Sequence, residues 1–204
     1  TPDSRWMVSH GEDEPYMKLW SFPDSQEIKE LDLGGTPVRS VIISPTGDYG
    51  YSLGEYGAVN VWTLPDGQGV SAFSASGLPA GRKRIHLSPD GRYMVVTVDE
   101  GEHFAVFEVP SGSLLYEKEQ TGASWLSFVF SPNSGYFAAF SSGSDATIWS
   151  LADGLEVITL PSENRFVAPS FSIDDLYFAF PNDQVIDIYS LPDGALVKTL
   201  AGHQ

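Results

Sequence analysis

The stretch Arg82-Lys83-Arg84-Ile85-His86-Leu87-Ser88-Pro89-Asp90-Gly91 runs an alternating segment straight into a Ser-Pro-Asp-Gly turn. The same arrangement recurs from Val38 to Gly47 (VRSVIISPTG), from Trp125 to Gly135 (WLSFVFSPNSG) and from Phe166 to Asp175 (FVAPSFSIDD). Ser44, Ser88, Ser131 and Ser172 mark the same point in each copy, separated by 44, 43 and 41 residues. Units of about 40–45 residues suit four short strands with their turns, and are too long for a leucine-rich or ankyrin-type repeat. The period therefore predicts β-propeller blades.

A second landmark recurs out of phase with the first. It reads KLWSFPD from Lys18, VWTLPDG from Val61, VFEVPSG from Val106, IWSLADG from Ile148 and IYSLPDG from Ile188. Proline presets a turn angle and glycine accepts a positive φ, so Pro-Asp-Gly between two apolar runs is a hairpin turn. Ile148 and Ser150 alternate with Trp149 and Leu151, which is the period of a strand. No segment carries a helical period. The expected fold is all-β, with four-stranded antiparallel blades over residues 35–76, 77–119, 120–161 and 162–204 and an incomplete blade over 1–34.

These residues resemble the WD-repeat family in a divergent form, where the aromatic survives and the following aspartate has become Ser, Thr or Glu. The resemblance covers nearly the whole chain and implies blades with strands a to d from the axis outward. Strand c would then hold Trp20, Trp62, Phe107, Trp149 and Tyr189. The polar tetrad of the family is mostly lost: blade four offers Asp145 and Trp149 without a histidine partner, and Gly202-His203 is the only Gly-His pair.

The strand count points beyond the chain. The first repeat supplies strand b near Trp6 to Ser9, strand c near Tyr16 to Trp20 and strand d near Ile28 to Leu33, but no strand a. A propeller closes to hide its edges. The expectation is a segment of a larger ring, seven or eight blades being usual in the family, or a ring completed by another chain. The chain does not begin with methionine, which reads as a processed, trimmed or excised piece of something longer.

Charge narrows the partners. Twenty-seven acidic against 11 basic residues give a net charge of -16, which repels phosphate backbones and anionic headgroups, so neither nucleic acid nor a membrane is expected. There is no cysteine, hence no disulfide or thiolate metal site, and the compartment stays open with a preference for the cytoplasm.

By the resemblance, the d-to-a and b-to-c loops share one face where partners dock. The b-to-c loops would contain Glu12, Asp13 and Glu14; Glu55 and Tyr56; Asp99, Glu100, Glu102 and His103; Ser144 and Asp145; and Asn182 and Asp183. Every one of them carries an acid, so a Lys- or Arg-rich segment of a protein partner is the expected guest, with Tyr56 as a flat anchor. Arg39, Lys83, Leu126 and Val167 would stand at the entrance to strand a. Arg82, Lys83, Arg84 and His86 form the one dense basic cluster and suit a phosphate or an acidic partner.

No GxSxG elbow, phosphate-binding Gly-rich loop or HExxH pair is present, and the four histidines fall in different repeats. The sequence therefore reads as a non-catalytic interaction platform without cofactor or metal. The alternative is a propeller hydrolase of lactonase or glycosidase type, using carboxylates or a metal near a central channel.

Overall fold

The structure is a computed structural model that describes residues 1, 3–11, 14–32, 37–98, 103–119, 127–141, 144–161, 169–182 and 184–202. These form nineteen strands and no helix. The first sheet has three strands, β1 (Trp6–His10), β2 (Tyr16–Ser21) and β3 (Glu27–Asp32). The second has β4 (Val38–Ile43), β5 (Tyr49–Gly54), β6 (Ala58–Thr63) and β7 (Gly69–Ser74). The third has β8 (Lys83–Leu87), β9 (Tyr93–Val98), β10 (His103–Glu108) and β11 (Ser113–Glu119). The fourth has β12 (Ser127–Phe130), β13 (Tyr136–Ser141), β14 (Ser144–Ser150) and β15 (Glu156–Leu160). The fifth has β16 (Ser170–Phe171), β17 (Tyr177–Asn182), β18 (Val185–Ser190) and β19 (Leu196–Ala201). Within each sheet the strands follow chain order and pair antiparallel, so each is an up-and-down, blade-like sheet.

Strand length follows from what each turn must satisfy. In the turn between the first and second strands, the Ser88 N–H donates to the Tyr93 carbonyl at 2.9 Å, and the Tyr93 N–H returns to Ser88 Oγ at 3.0 Å. Ser44 with Tyr49, Ser131 with Tyr136 and Ser172 with Tyr177 repeat this exchange. The serine side chain thus takes a strand-edge N–H that the turn would otherwise leave unpaired. Thr1 does the same in the first sheet, where its Oγ1 accepts from the Trp6 N–H at 3.0 Å and Ser4 takes the left-handed conformation of Gly47 and Gly91.

The turn after the aromatic strand closes over five residues. The N–H of Ser25, Gly67, Gly112, Gly154 and Gly194 each bonds to the carbonyl four residues earlier, at 2.8–3.0 Å. One extra residue on the following strand then bulges out opposite four of the aromatics: Ile28 at Trp20, Val70 at Trp62, Val157 at Trp149 and Val197 at Tyr189. Such a bulge bends the strand and raises its twist.

The chain divides into two compact units, one made of Thr1–Val98 with His103–Glu117, the other running from Lys118 onward. In the first unit, Met17 and Leu31 pack with Trp62, joining the first two sheets. Tyr51, Leu53, Val59 and Val61 pack with Ile85, Met94, Val96, Ala105 and Phe107, joining the second and third. In the second unit, Ala138, Phe140, Ile148 and Leu160 meet Phe178, Phe180 and Leu191. The sequence places Ile43, Leu87, Phe130 and Phe171 in the core together with the aromatics of the third strands. Trp62, Phe107 and Trp149 are buried, whereas Trp20, Tyr189 and all four first-strand residues are only half-buried. Full burial falls on the two middle strands, where Met94 through Val98 and Phe104 through Phe107 are covered on both faces.

Candidate functional site

Four of the residues singled out from the sequence converge in the first unit. Arg39 lies in β4, Glu55 and Tyr56 form the β5–β6 loop, and Lys83 opens β8. Together with Ser76, Leu78, Ala80, Gly81 and Arg82 of the β7–β8 connection they line a cleft of about 580 Å³. A second cleft of about 410 Å³ shares Arg39, Arg82 and Lys83 and adds His10, Val38, Ser40 and Arg84.

The charged groups here differ in solvation. Arg39 Nη2 donates to Glu55 Oε1 at 2.9 Å, a pair open to solvent on the carboxylate side. Tyr56 is 73% exposed and stands at the rim. Lys83 is only 6% exposed, with its stem beside Gly57 and its Nζ donating to the Pro79 carbonyl at 2.9 Å. Burial holds its ammonium below the ordinary lysine value, because desolvation penalises the charged form.

The other expected residues sit elsewhere. Glu14 is exposed in the β1–β2 loop, where its carbonyl accepts from the Val38 N–H at 3.3 Å and its carboxylate raises the Tyr16 phenol. Asp145 is an exposed residue of β14 in the second unit, inside the strand and not in a loop. His103 and Asn182 are strand-end residues of β10 and β17. Glu12, Asp13, Asp99, Glu100, Glu102 and Asp183, with Leu126 and Val167, lie outside the described residues. Among the described residues the lining of the two clefts carries four Arg and Lys side chains and a single carboxylate. Arg82, Lys83 and Arg84 are adjacent in the sequence, and the packing of the second sheet on the third brings Arg39 to them from more than forty positions away.

Two polar features of the second unit escape a sequence reading. Asp187 is buried in β18 and accepts from Thr199 Oγ1 at 2.5 Å and Asn182 Nδ2 at 3.2 Å, tying three strands together. Asp175 stands in the left-handed region at φ 58°, and its carboxylate accepts from Ser131 Oγ at 2.5 Å and from the N–H groups of Asn133 and Gly135 at 3.1 Å. It clasps the turn of the preceding sheet. Among the described residues no group of three or more His, Asp or Glu converges in a way that would hold a metal ion.

No protein-family model and no curated protein matches the chain. Among solved structures it is similar to hydrazine synthase of Kuenenia stuttgartiensis, with a TM-score of 0.66 and 18% identity, over 98% of this chain and 72% of that one. At this identity the likeness concerns the fold alone: an all-β chain of consecutive antiparallel blade-like sheets.

Proposed function

We propose that the chain is a non-catalytic interaction module built from divergent, WD-repeat-like propeller blades. Its five sheets would be consecutive blades of a ring of seven or eight, and the loop end of the second and third sheets its docking face. The observation that carries this reading is the cleft itself, where a strand, a short loop and a long connection from separate parts of the sequence meet around Tyr56. An exposed aromatic beside a partly apolar floor of Leu78 and Ala80 is the kind of anchor point that protein interfaces favour. The uniformity of the repeats adds support, since no catalytic motif sets one of them apart in the sequence. The hydrazine synthase likeness carries no argument on activity.

Selection of displayed random peptides against the immobilised chain tests the proposal. The expected result is enrichment of sequences whose binding is lost on Tyr56→Ala. Enrichment no better than background, or turnover of lactone or glycoside substrates, would sink it.

A further inference from the structure

We propose that the Arg39–Lys83 cleft binds an acidic segment of a partner protein, with the Lys83 ammonium as the buried anchor for one carboxylate. This rests on the docking reading above and gives the partner its chemistry.

Lys83 provides the first argument. An ammonium presents three donors, and among the described residues its Nζ has one partner, the neutral Pro79 carbonyl, with no carboxylate in ion-pair reach. A charge withdrawn from water without a counter-charge is costly unless something compensates it. The depressed lysine value is the signature of that missing compensation. A carboxylate arriving from either cleft would supply it, because Lys83 lines both.

The field around it provides the second. Four of the 11 basic residues of the chain, Arg39, Arg82, Lys83 and Arg84, line these two clefts, in a protein whose net charge is -16. An acidic segment is repelled by most of this surface and drawn to one place, which gives register as well as attraction. Among the described residues Glu55 is the lone carboxylate of the lining, and it holds Arg39 from a solvent-exposed position. Exposed pairs of this kind contribute little, so an incoming carboxylate can displace it. Tyr56 and Leu78 supply the flat and apolar contacts that a peptide uses and a bare anion does not.

The experiment is a fluorescence-anisotropy titration of the chain with a short labelled Glu/Asp-rich peptide, a Lys/Arg-rich peptide of equal length and inorganic phosphate as competitor. The acidic peptide is expected to bind, and to bind more weakly as salt rises. Lys83→Met should weaken it roughly tenfold or more, the scale of losing one partner of a buried charge pair, while Glu55→Gln should tighten it severalfold by freeing Arg39. Thermal melts check that both variants fold. If Lys83→Met unfolds, the exposed pair Arg82→Gln and Arg84→Gln should show the same loss. Unchanged binding in Lys83→Met, weaker binding in Glu55→Gln, or full competition by phosphate would overturn the assignment. Basic peptides binding in a Tyr56-dependent manner would overturn it and leave the docking face standing; failure of all peptides, displayed or synthetic, would remove both.

Discussion

Asp175 shows how a departure from the repeat acquires a role. Its position in the turn belongs to Gly47, Gly91 and Ser134 in the other sheets, all at positive φ. An aspartate tolerates that conformation better than most residues, and in exchange its carboxylate holds the neighbouring turn with three hydrogen bonds. Asp175→Ala should therefore cost about 2–4 kcal/mol in urea unfolding, from the lost charge-assisted bonds and the left-handed alanine together. Asp175→Gly should cost less, because it loses the bonds but relieves the backbone; an equal or larger loss for the glycine variant would argue against the clasp. From the sequence, Asp174-Asp175 reads as a turn and nothing more, since the carboxylate's partners lie 40 to 44 residues away.

Tyr51 gives the pH dependence at the same scale. Burial, with a smaller contribution from Tyr49, pushes its phenol from 10.0 to about 12. The folded value lies above the unfolded one, so the unfolded chain releases this proton first. The associated stability is complete below pH 10 and is lost as pH rises from there through about 12. Tyr51→Phe should remove about 3 kcal/mol of that alkaline loss, read as a flatter fall of the denaturation midpoint above pH 10. An unchanged alkaline profile would show that the shift does not contribute. Lys83 acts in the opposite direction: its lowered value means that the folded state gains relative stability as pH climbs from the folded to the unfolded lysine value.

At the scale of elements, the turns were legible and their neighbours were not. Pro-Asp-Gly or a close variant of it announces a turn after each aromatic strand, and where glycine stands there its positive φ follows from local chemistry. Its second duty is tertiary. A Cβ on Gly112 would lie 2.4 Å from the Phe73 ring, and one on Gly67 would lie 2.6 Å from Leu31 Cδ2, each on the last strand of the preceding sheet. Gly112→Ala should thus cost more than backbone strain alone, about 2–4 kcal/mol from strain plus overpacking, and Phe73→Ala in the same chain should recover part of it. Strict additivity of the two substitutions would contradict the contact. The bulges opposite Trp20, Trp62, Trp149 and Tyr189 left no trace in the sequence pattern, because the extra residue is itself apolar and β-branched. The first-sheet turn was missed for another reason: Thr1-Pro2-Asp3-Ser4-Arg5-Trp6 replaces serine, glycine and tyrosine of the motif at once, and only the hydrogen bonds of Thr1 reveal the equivalence.

For the whole molecule, the repeat period anticipated a sheet in each of five repeats, four strands in four of them and three in the first. What periodicity could not supply was the meeting of Arg39 with Arg82, Lys83 and Arg84. The run Arg82-Lys83-Arg84 is visible in the sequence, while Arg39 joins it only after two sheets pack. The proposed function rests on the sheets being successive blades of a ring that these residues do not complete by themselves. Small-angle X-ray scattering with light scattering on the chain tests that most directly. The account predicts an open arc, or an assembly in which copies cover one another's uncompleted edges. A compact monomer with the profile of a closed disc would contradict it.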